Sequence, residues 1–228
     1  SAMACALEIA YSKRGESSRT IHFSGNRSHG HKETPAALDG LACPSSPLIH
    51  GDEAQELTCE ELAALESLGK AVDASEGGIA AIVVESIQSS LGDYYLRPEF
   101  FKALKKLCAD SKSLLVVDEV DSGFGRSGSW WDCHHLGVKP DMIVFGGIAE
   151  LGGVLVAEHL LEWVKEPLQL PEEGQLSRCN SVLDAMENEK LIGHAGLMGR
   201  YLDTVLTDLV TKFPVLSNPR ARGLRGAF

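Results

Sequence analysis

The feature that most constrains the fold is a pair of unbroken apolar segments with an amphipathic helix pattern between them. The segments are GGIAAIVVES (77–86) and SLLVVDE (113–119), and their β-branched residues favour strands. Between them, Pro98 suits the first turn of a helix, and apolar residues recur at helical spacing over residues 97–111. Strands without polar–apolar alternation are typical of a parallel sheet that is covered on both faces. The pattern therefore predicts a β-α-β unit of a buried parallel sheet.

Other segments extend this α/β pattern on both sides of the unit. Further strands are predicted at 19–25, 141–147 and 152–158, and further helices at 1–14, 60–73 and 194–213. One apolar stripe marks the last helix, formed by Leu197, Tyr201, Leu202, Val205, Leu206 and Leu209. Residues 26–53 are rich in Gly, Pro, Ser and His, which favours a loop. We expect a single α/β domain over residues 1–228, with a mainly parallel sheet flanked by helices.

Charge and cysteine content exclude several function classes. The net charge is −11, which disfavours direct binding to nucleic acid. No apolar run approaches the roughly 18 residues of a membrane helix, so we expect no membrane insertion. The 6 cysteines form no C-x-x-C pair, which predicts free thiols in a reducing intracellular compartment, either the mitochondrial matrix or the cytoplasm. Cys133-His134-His135 has no second ligand pair at metal-site spacing, so no metal site is predicted.

An acidic residue ends the second strand and opens a glycine-rich turn. Asp118 begins DEVDSGFGRSG (118–128), and a Pro-Asp pair follows at 140–141. In an open α/β sheet, ligands bind beyond the carboxyl ends of the strands, which makes Asp118 a candidate binding residue. An aspartate at this position can equally cap backbone amides of the turn, and both roles remain open.

The stretch LLVVDEVDSGFGRSGSWWDCHHLGVKPDMIVF resembles the class III aminotransferases, which are fold type I enzymes that use pyridoxal phosphate. Within that class, the chain is most similar to the lysine-ε- and 4-aminobutyrate aminotransferases. The similarity extends over nearly the whole chain, through CALEIAYSKR, SGNRSHGH, VVESIQSSLGDYYLRPEFFKALKKLC, SRCNS and PRARGLRGAF. The resemblance implies the large, cofactor-binding domain of the fold type I transferases, incomplete at both ends, with the C-terminal small domain missing.

Several positions match the residues that hold the cofactor in this family. Asp118 matches the aspartate that pairs with the pyridine nitrogen, and Val120 matches the residue that packs against the ring. Glu85 and Gln88 match a Glu-x-Ile-Gln pair, and His29 lies in the loop that carries an aromatic-His-Gly triplet. The resemblance therefore implies that Asp118, Val120, Gln88 and His29 are vestiges of a cofactor site.

Other positions depart from the family. Gly147 stands where the family has the lysine that bonds to the cofactor, and no lysine lies between Lys139 and Lys165. Asp121 replaces the glutamine that approaches the ring hydroxyl. The remaining departures are Ser28 for the aromatic residue, Val182 for the phosphate-binding threonine, and Ala4 and Cys5 for a polar pair. We therefore expect no catalytic residue and no bound cofactor.

Two function classes follow from this mixture. The first is a catalytically degenerate, aminotransferase-like protein that serves as a structural or interaction subunit, with protein partners that form either a homodimer or a larger complex. The second is an active class III aminotransferase, or a fragment of one, that uses pyridoxal phosphate to transfer an amino group from an ω-amino acid to a 2-oxo acid. Because Gly147 and the other departures accumulate at one site, the sequence favours the first class.

Overall fold

The fold is a central sheet with helices on both faces, in the computed structural model of the chain. The structure describes residues 2–15, 17–24, 41–42, 56–89, 92–147, 151–165 and 171–228. In chain order the strands are β1 (Arg19–Ser24), β2 (Leu41–Ala42), β3 (Ile79–Glu85), β4 (Ile87–Gln88), β5 (Tyr94–Tyr95), β6 (Leu114–Asp118), β7 (Met142–Phe145), β8 (Gly153–Val156), β9 (Arg220–Arg222) and β10 (Arg225–Ala227). The α-helices are α1 (Ala2–Arg14), α2 (Cys59–Asp73), α3 (Pro98–Asp110), α4 (Glu173–Asn188) and α5 (Leu191–Lys212), and two 3-10 helices span Asp132–Leu136 and Glu158–Trp163.

The main sheet has six strands in the order β2-β1-β3-β6-β7-β8. All neighbours pair in parallel except β7 and β8, which are antiparallel. Two short antiparallel hairpins, β4–β5 and β9–β10, lie outside this sheet. The α/β fold with a mainly parallel sheet flanked by helices is thus confirmed. The prediction of a single domain over residues 1–228 stays a prediction.

The β-α-β unit has the composition that its burial requires. All residues of β3 and β6 are buried, which explains why neither strand alternates between polar and apolar residues. In the helix between them, Pro98 occupies the first turn, where its missing N–H costs no hydrogen bond. The helix buries Phe100, Phe101, Leu104 and Cys108 against the sheet. Strand, helix and strand are all confirmed.

Two hydrophobic cores cover the two faces of the sheet. On one face, α2 and α3 pack on alternate strand residues such as Ile82 and Leu115. On the other face, α1 and the 3-10 helix Glu158–Trp163 pack on the intervening residues, which include Val83 and Val116. Because successive strand residues point to opposite faces, every second residue supports each core.

The C-terminal helices differ most from the sequence prediction. The sequence pattern does not indicate α4, in which only Met186 is buried. Helix α5 ends at Lys212, just before Pro214, as predicted, but the predicted stripe is wrong at Leu197 and Tyr201, which are 54% and 67% exposed. Its buried residues are Ala195, Gly199 and Leu206. The small residues face inward because the backbone of α5 approaches the β9–β10 hairpin closely. A Cβ at Gly199 would lie only 2.6 Å from the Gly223 Cα.

Two other sequence expectations concern the loop and the membrane. Most of the predicted loop at 26–53 lies outside the described residues, and so does His29. Among the helices of the described ranges, none combines the length and the apolar character needed to cross a membrane.

Candidate functional site

Two acidic residues stand side by side at the carboxyl ends of the central strands. Glu85 ends β3 and Asp118 ends β6, and the two are register partners across the sheet. Both residues are only 5% exposed. Asp118 is also the register partner of Val144 in β7. The site predicted from the sequence therefore lies where parallel strands of an open sheet place their ligands.

Asp118 makes the capping contact that the sequence allows. Its Oδ1 accepts a hydrogen bond from the Val120 backbone N–H at 3.0 Å. An aspartate that bonds to an amide two residues ahead stabilises the start of a turn. The structure thus shows a capping role for Asp118, while its role toward a cofactor stays a prediction.

A second carboxylate enters the same region from the glycine-rich turn. Asp121 lines a small pocket together with Glu85, Asp118, Ile87 and Ser122. The pocket encloses about 180 Å³ and admits no water-sized sphere. The Ser89 hydroxyl donates to Asp121 Oδ2 at 3.2 Å. Three carboxyl groups therefore converge on one confined space.

Gln88 is a retained family residue with an unusual environment. It is fully buried in β4, and neither its amide nitrogen nor its amide oxygen makes a hydrogen bond to the described part of the chain. A buried amide without partners is costly, so such a group commonly binds water or a ligand. Gln88 is thus the retained side chain with most unused hydrogen-bonding capacity.

Gly147 lies two residues after the end of β7 and beside Val120. A Cβ built on Gly147 would lie 3.4 Å from the Val120 carbonyl oxygen. The φ angle of Gly147 is +82°, in the left-handed region that favours glycine. The structure thus brings Gly147, Val120 and Asp118 together. His29 and Ser28 lie outside the described residues.

A fully buried carboxyl group supports the loop that carries the site. Glu119 accepts hydrogen bonds from the backbone N–H groups of Asp132 and Cys133 at 2.8 and 2.7 Å, and from the Ser122 hydroxyl at 3.0 Å. Burial, together with the nearby Asp132 charge, raises the pKa of Glu119 to about 6. Glu119 therefore fixes the start of the 3-10 helix Asp132–Leu136 to the end of β6.

The β9–β10 hairpin fastens to the same region through arginines. Arg222 Nη1 donates to both carboxylate oxygens of Asp132, at 3.1 and 2.9 Å. Arg225 forms an ion pair with Asp93 and donates to the Asp121 carbonyl at 2.9 Å. Sequence reasoning misses these contacts, and the only available signal is the run PRARGLRGAF, in which arginines recur.

Cys133, His134 and His135 are structural in the observed arrangement. Cys133 is buried in the core, and burial raises the pKa of its thiol. The other two side chains make local contacts, from His134 to the Ser129 hydroxyl and from His135 to the Ser127 carbonyl. Within the described ranges, no three His, Cys, Asp or Glu residues are grouped as metal ligands would be.

The residues of this site do not fit a covalently bound pyridoxal phosphate. Gly147 provides no amine, and Asp121 places a carboxylate where the resemblance implies the ring hydroxyl. Asp118, Val120 and Gln88 would suit a pyridine ring by residue type alone.

Known proteins are similar in sequence to much of the chain. Residues 14–228 match the family described as Aminotransferase class-III. An L-lysine-epsilon aminotransferase of Mycobacterium tuberculosis is 35% identical over 178 residues, which cover 74% of this chain and 40% of the relative. An acetylornithine aminotransferase of Prochlorococcus marinus is 30% identical over 220 residues, covering 91% of this chain and 51% of the relative. The chain thus spans about half or less of these relatives.

Solved structures agree with the sequence comparison. A lysine aminotransferase from M. tuberculosis in the internal aldimine form superposes with a TM-score of 0.79 at 26% identity, over 99% of this chain and 60% of that one. An acetylornithine aminotransferase from Elizabethkingia anophelis has a TM-score of 0.72 at 24% identity, over 99% of this chain and 56% of that one, and supports the fold alone. Together with the family match over residues 14–228, these findings show that the chain belongs to the class III aminotransferase family.

Proposed function

We propose that this chain is a catalytically degenerate class III aminotransferase homologue that acts as a structural or interaction subunit of a larger assembly. The observation that carries the proposal is Gly147, which stands after β7 where the family lysine is expected. This position is internal, so it does not depend on where the chain begins or ends. Without an amine there, the chain cannot hold a cofactor covalently at this site or use that amine to move a proton.

Two further features support the proposal. The left-handed backbone at Gly147 would cost a lysine about 1–2 kcal/mol of strain. Asp121 adds a negative charge beside Glu85 and Asp118, which disfavours an anionic group in that pocket. The site therefore differs from the family residues at Asp121 as well as at Gly147, and the backbone at position 147 favours glycine.

A second candidate is an active class III aminotransferase, or a fragment of one, that uses pyridoxal phosphate and an ω-amino acid donor. What favours it is the 35% identity to a lysine-ε aminotransferase, and the related structure in an internal aldimine form. Asp118, Val120 and Gln88 also match family residues. A lysine from another chain or segment would have to replace the missing amine.

The two candidates differ in a cofactor-trapping experiment. The purified chain is incubated with pyridoxal phosphate, reduced with borohydride, digested, and analysed by mass spectrometry. Because no lysine lies between Lys139 and Lys165, we expect no stoichiometric adduct at any one lysine. The M. tuberculosis lysine aminotransferase, treated in parallel, should give one adduct per chain.

Gly147→Lys is the informative companion variant. We expect it to remain without transaminase activity, because the backbone strain and the Asp121 carboxylate persist. One adduct per chain on a single lysine of the unmodified protein would refute the degenerate assignment and favour the enzyme.

The proposed subunit role predicts association with other chains. Large apolar side chains are exposed on the edge strand β8 and shortly after it, where Leu155, Leu161 and Val164 are 43%, 58% and 44% exposed. Helix α4 buries only Met186. Contiguous exposed apolar surface commonly marks an interface. We expect a stable partner, with unrelated subunits favoured over a second copy, in a reducing compartment that is either the mitochondrial matrix or the cytoplasm.

Light scattering across a dilution series, on protein isolated from its native source, measures this association. The expected result is a mass well above 24.5 kDa, with co-purifying chains identified by mass spectrometry. A monomer at every concentration without a co-purifying chain would contradict the subunit role.

A further inference from the structure

We propose that the cleft between the β9–β10 hairpin and the glycine-rich turn binds a small aliphatic monocarboxylate. The cleft has a volume of about 510 Å³, within the range of small-molecule sites. It is lined by Ser89, Asp93, Asp121, Arg126, Leu224, Arg225 and Gly226. This binding site goes beyond the proposed subunit role and does not depend on it.

Two guanidinium groups converge at the floor of the cleft. Arg126 Nη1 and Arg225 Nη1 each donate to the carbonyl oxygen of Asp121, both at 2.9 Å. Two positive charges therefore lie close together on one neutral acceptor, and an anion bound between them would interact with both.

The two arginines are compensated unequally. Arg225 forms an ion pair with the Asp93 carboxylate, which neutralises it locally. Arg126 is half-buried, and its side chain donates to the Asp121 carbonyl without forming an ion pair to the described residues. A guanidinium has five N–H donors in a planar fork, so Arg126 retains donors for a carboxylate.

The other cleft residues select the charge of the ligand. Asp93 and Asp121 face the same space, so the four charged side chains of the lining sum to zero. A monoanion adds one charge beside two guanidinium groups, whereas a dianion such as phosphate meets stronger repulsion from the two carboxylates. The charge pattern therefore favours a monocarboxylate.

The remaining walls suit an aliphatic body. Leu224 is 59% exposed and supplies an apolar wall, while Ser89 adds a hydroxyl to the lining. The hairpin that carries Leu224 is held in place by the hydrogen bond from the Leu224 N–H to the Arg126 carbonyl at 2.8 Å. The apolar wall and the guanidinium of Arg126 are thus fixed relative to each other.

Butyrate is the probe that tests the site, by NMR titration with calorimetry. We expect saturable millimolar binding, with shifts of the Leu224 and Gly226 amides, and no saturable binding of butylamine at equal concentrations. Inorganic phosphate should bind more weakly than butyrate. Arg126→Gln should lower the affinity for butyrate by about tenfold or more, because it removes a charge-assisted contact. Arg200→Gln, the same change at an exposed arginine of α5, should leave binding unchanged.

A second variant keeps every charge of the cleft. Leu224→Trp replaces an exposed side chain with a larger one that would fill the cleft. It should lower the affinity for butyrate without lowering the thermal midpoint of the protein. The proposal is overturned if butyrate and butylamine bind alike, if phosphate binds more tightly than butyrate, or if Arg126→Gln and Leu224→Trp both bind butyrate as the unmodified chain does.

Discussion

Val116→Asp is expected to lower the free energy of unfolding by more than about 3 kcal/mol. Val116 is fully buried in β6, between β3 and β7, and its side chain contributes to the core under α1. The described neighbours in that core are apolar, so a carboxylate there would lose its hydration without gaining a partner. Chemical denaturation and the thermal midpoint, which should fall by roughly 10 °C for a chain of this size, measure the effect.

Two companion variants keep this prediction decisive if Val116→Asp fails to fold. Val116→Thr changes one methyl group to a hydroxyl and should lower the free energy of unfolding by a smaller amount. Leu62→Asp places the same charge on the exposed side of α2, where Leu62 is 52% exposed, and should have little effect. Equal midpoints for Val116→Asp and Leu62→Asp would show that β6 is not buried.

Arg222→Gln is expected to destabilise the chain by about 3–5 kcal/mol, because it leaves a buried charge without its partner. Asp132 is fully buried, and Arg222 Nη1 donates a hydrogen bond to each of its two carboxylate oxygens. Glu119 lies beside it, held by the Asp132 backbone N–H, so an unpaired Asp132 would face a second buried carboxyl group. Equilibrium unfolding in denaturant measures the loss.

A double-mutant cycle separates the pair from the rest of the hairpin. Asp132→Asn combined with Arg222→Gln should recover much of the stability lost by Arg222→Gln alone, because no uncompensated charge remains. Lys106→Gln, in the exposed Lys106–Asp110 pair, is the matched surface control and should change stability by less than about 1 kcal/mol. If Arg222→Gln lowers the free energy of unfolding by no more than Lys106→Gln does, the Asp132–Arg222 pair does not hold the hairpin in place.

The sheet could be predicted from the sequence because its signals are local. Apolar runs of strand length, Pro98 at a helix start and a periodic apolar face each lie within a few consecutive residues, and together they define the β-α-β unit. The predicted apolar stripe of α5 is wrong because the packing of this helix depends on a segment that is distant in sequence. Gly199 faces inward because a second backbone approaches it, and hydrophobic periodicity carries no information about such a neighbour.

In the candidate site, too, the local features could be predicted and the long-range contacts could not. Asp118, Val120 and Gly147 lie next to strand ends, so the sequence places them together and the structure agrees. The partners of Asp132 and Asp121 lie on a hairpin about a hundred residues further along the chain, with separations of 90 and 104 residues. A single sequence gives no measure of which distant charges meet, so the cleft could not be predicted.

The separation between Asp132 and Arg222 also sets an order of events during synthesis. The ribosome must add 90 more residues after Asp132 before Arg222 exists, which takes roughly 5–20 s at typical translation rates. During that interval the Asp132 carboxylate has no guanidinium to accompany it into the interior, so it remains hydrated. The strands and α3 can already pair, and Glu119 can already hold the Asp132 and Cys133 backbone, whereas the Asp132 carboxylate gains its partner only when the hairpin has been made. The sheet should therefore form before the Asp132–Arg222 pair.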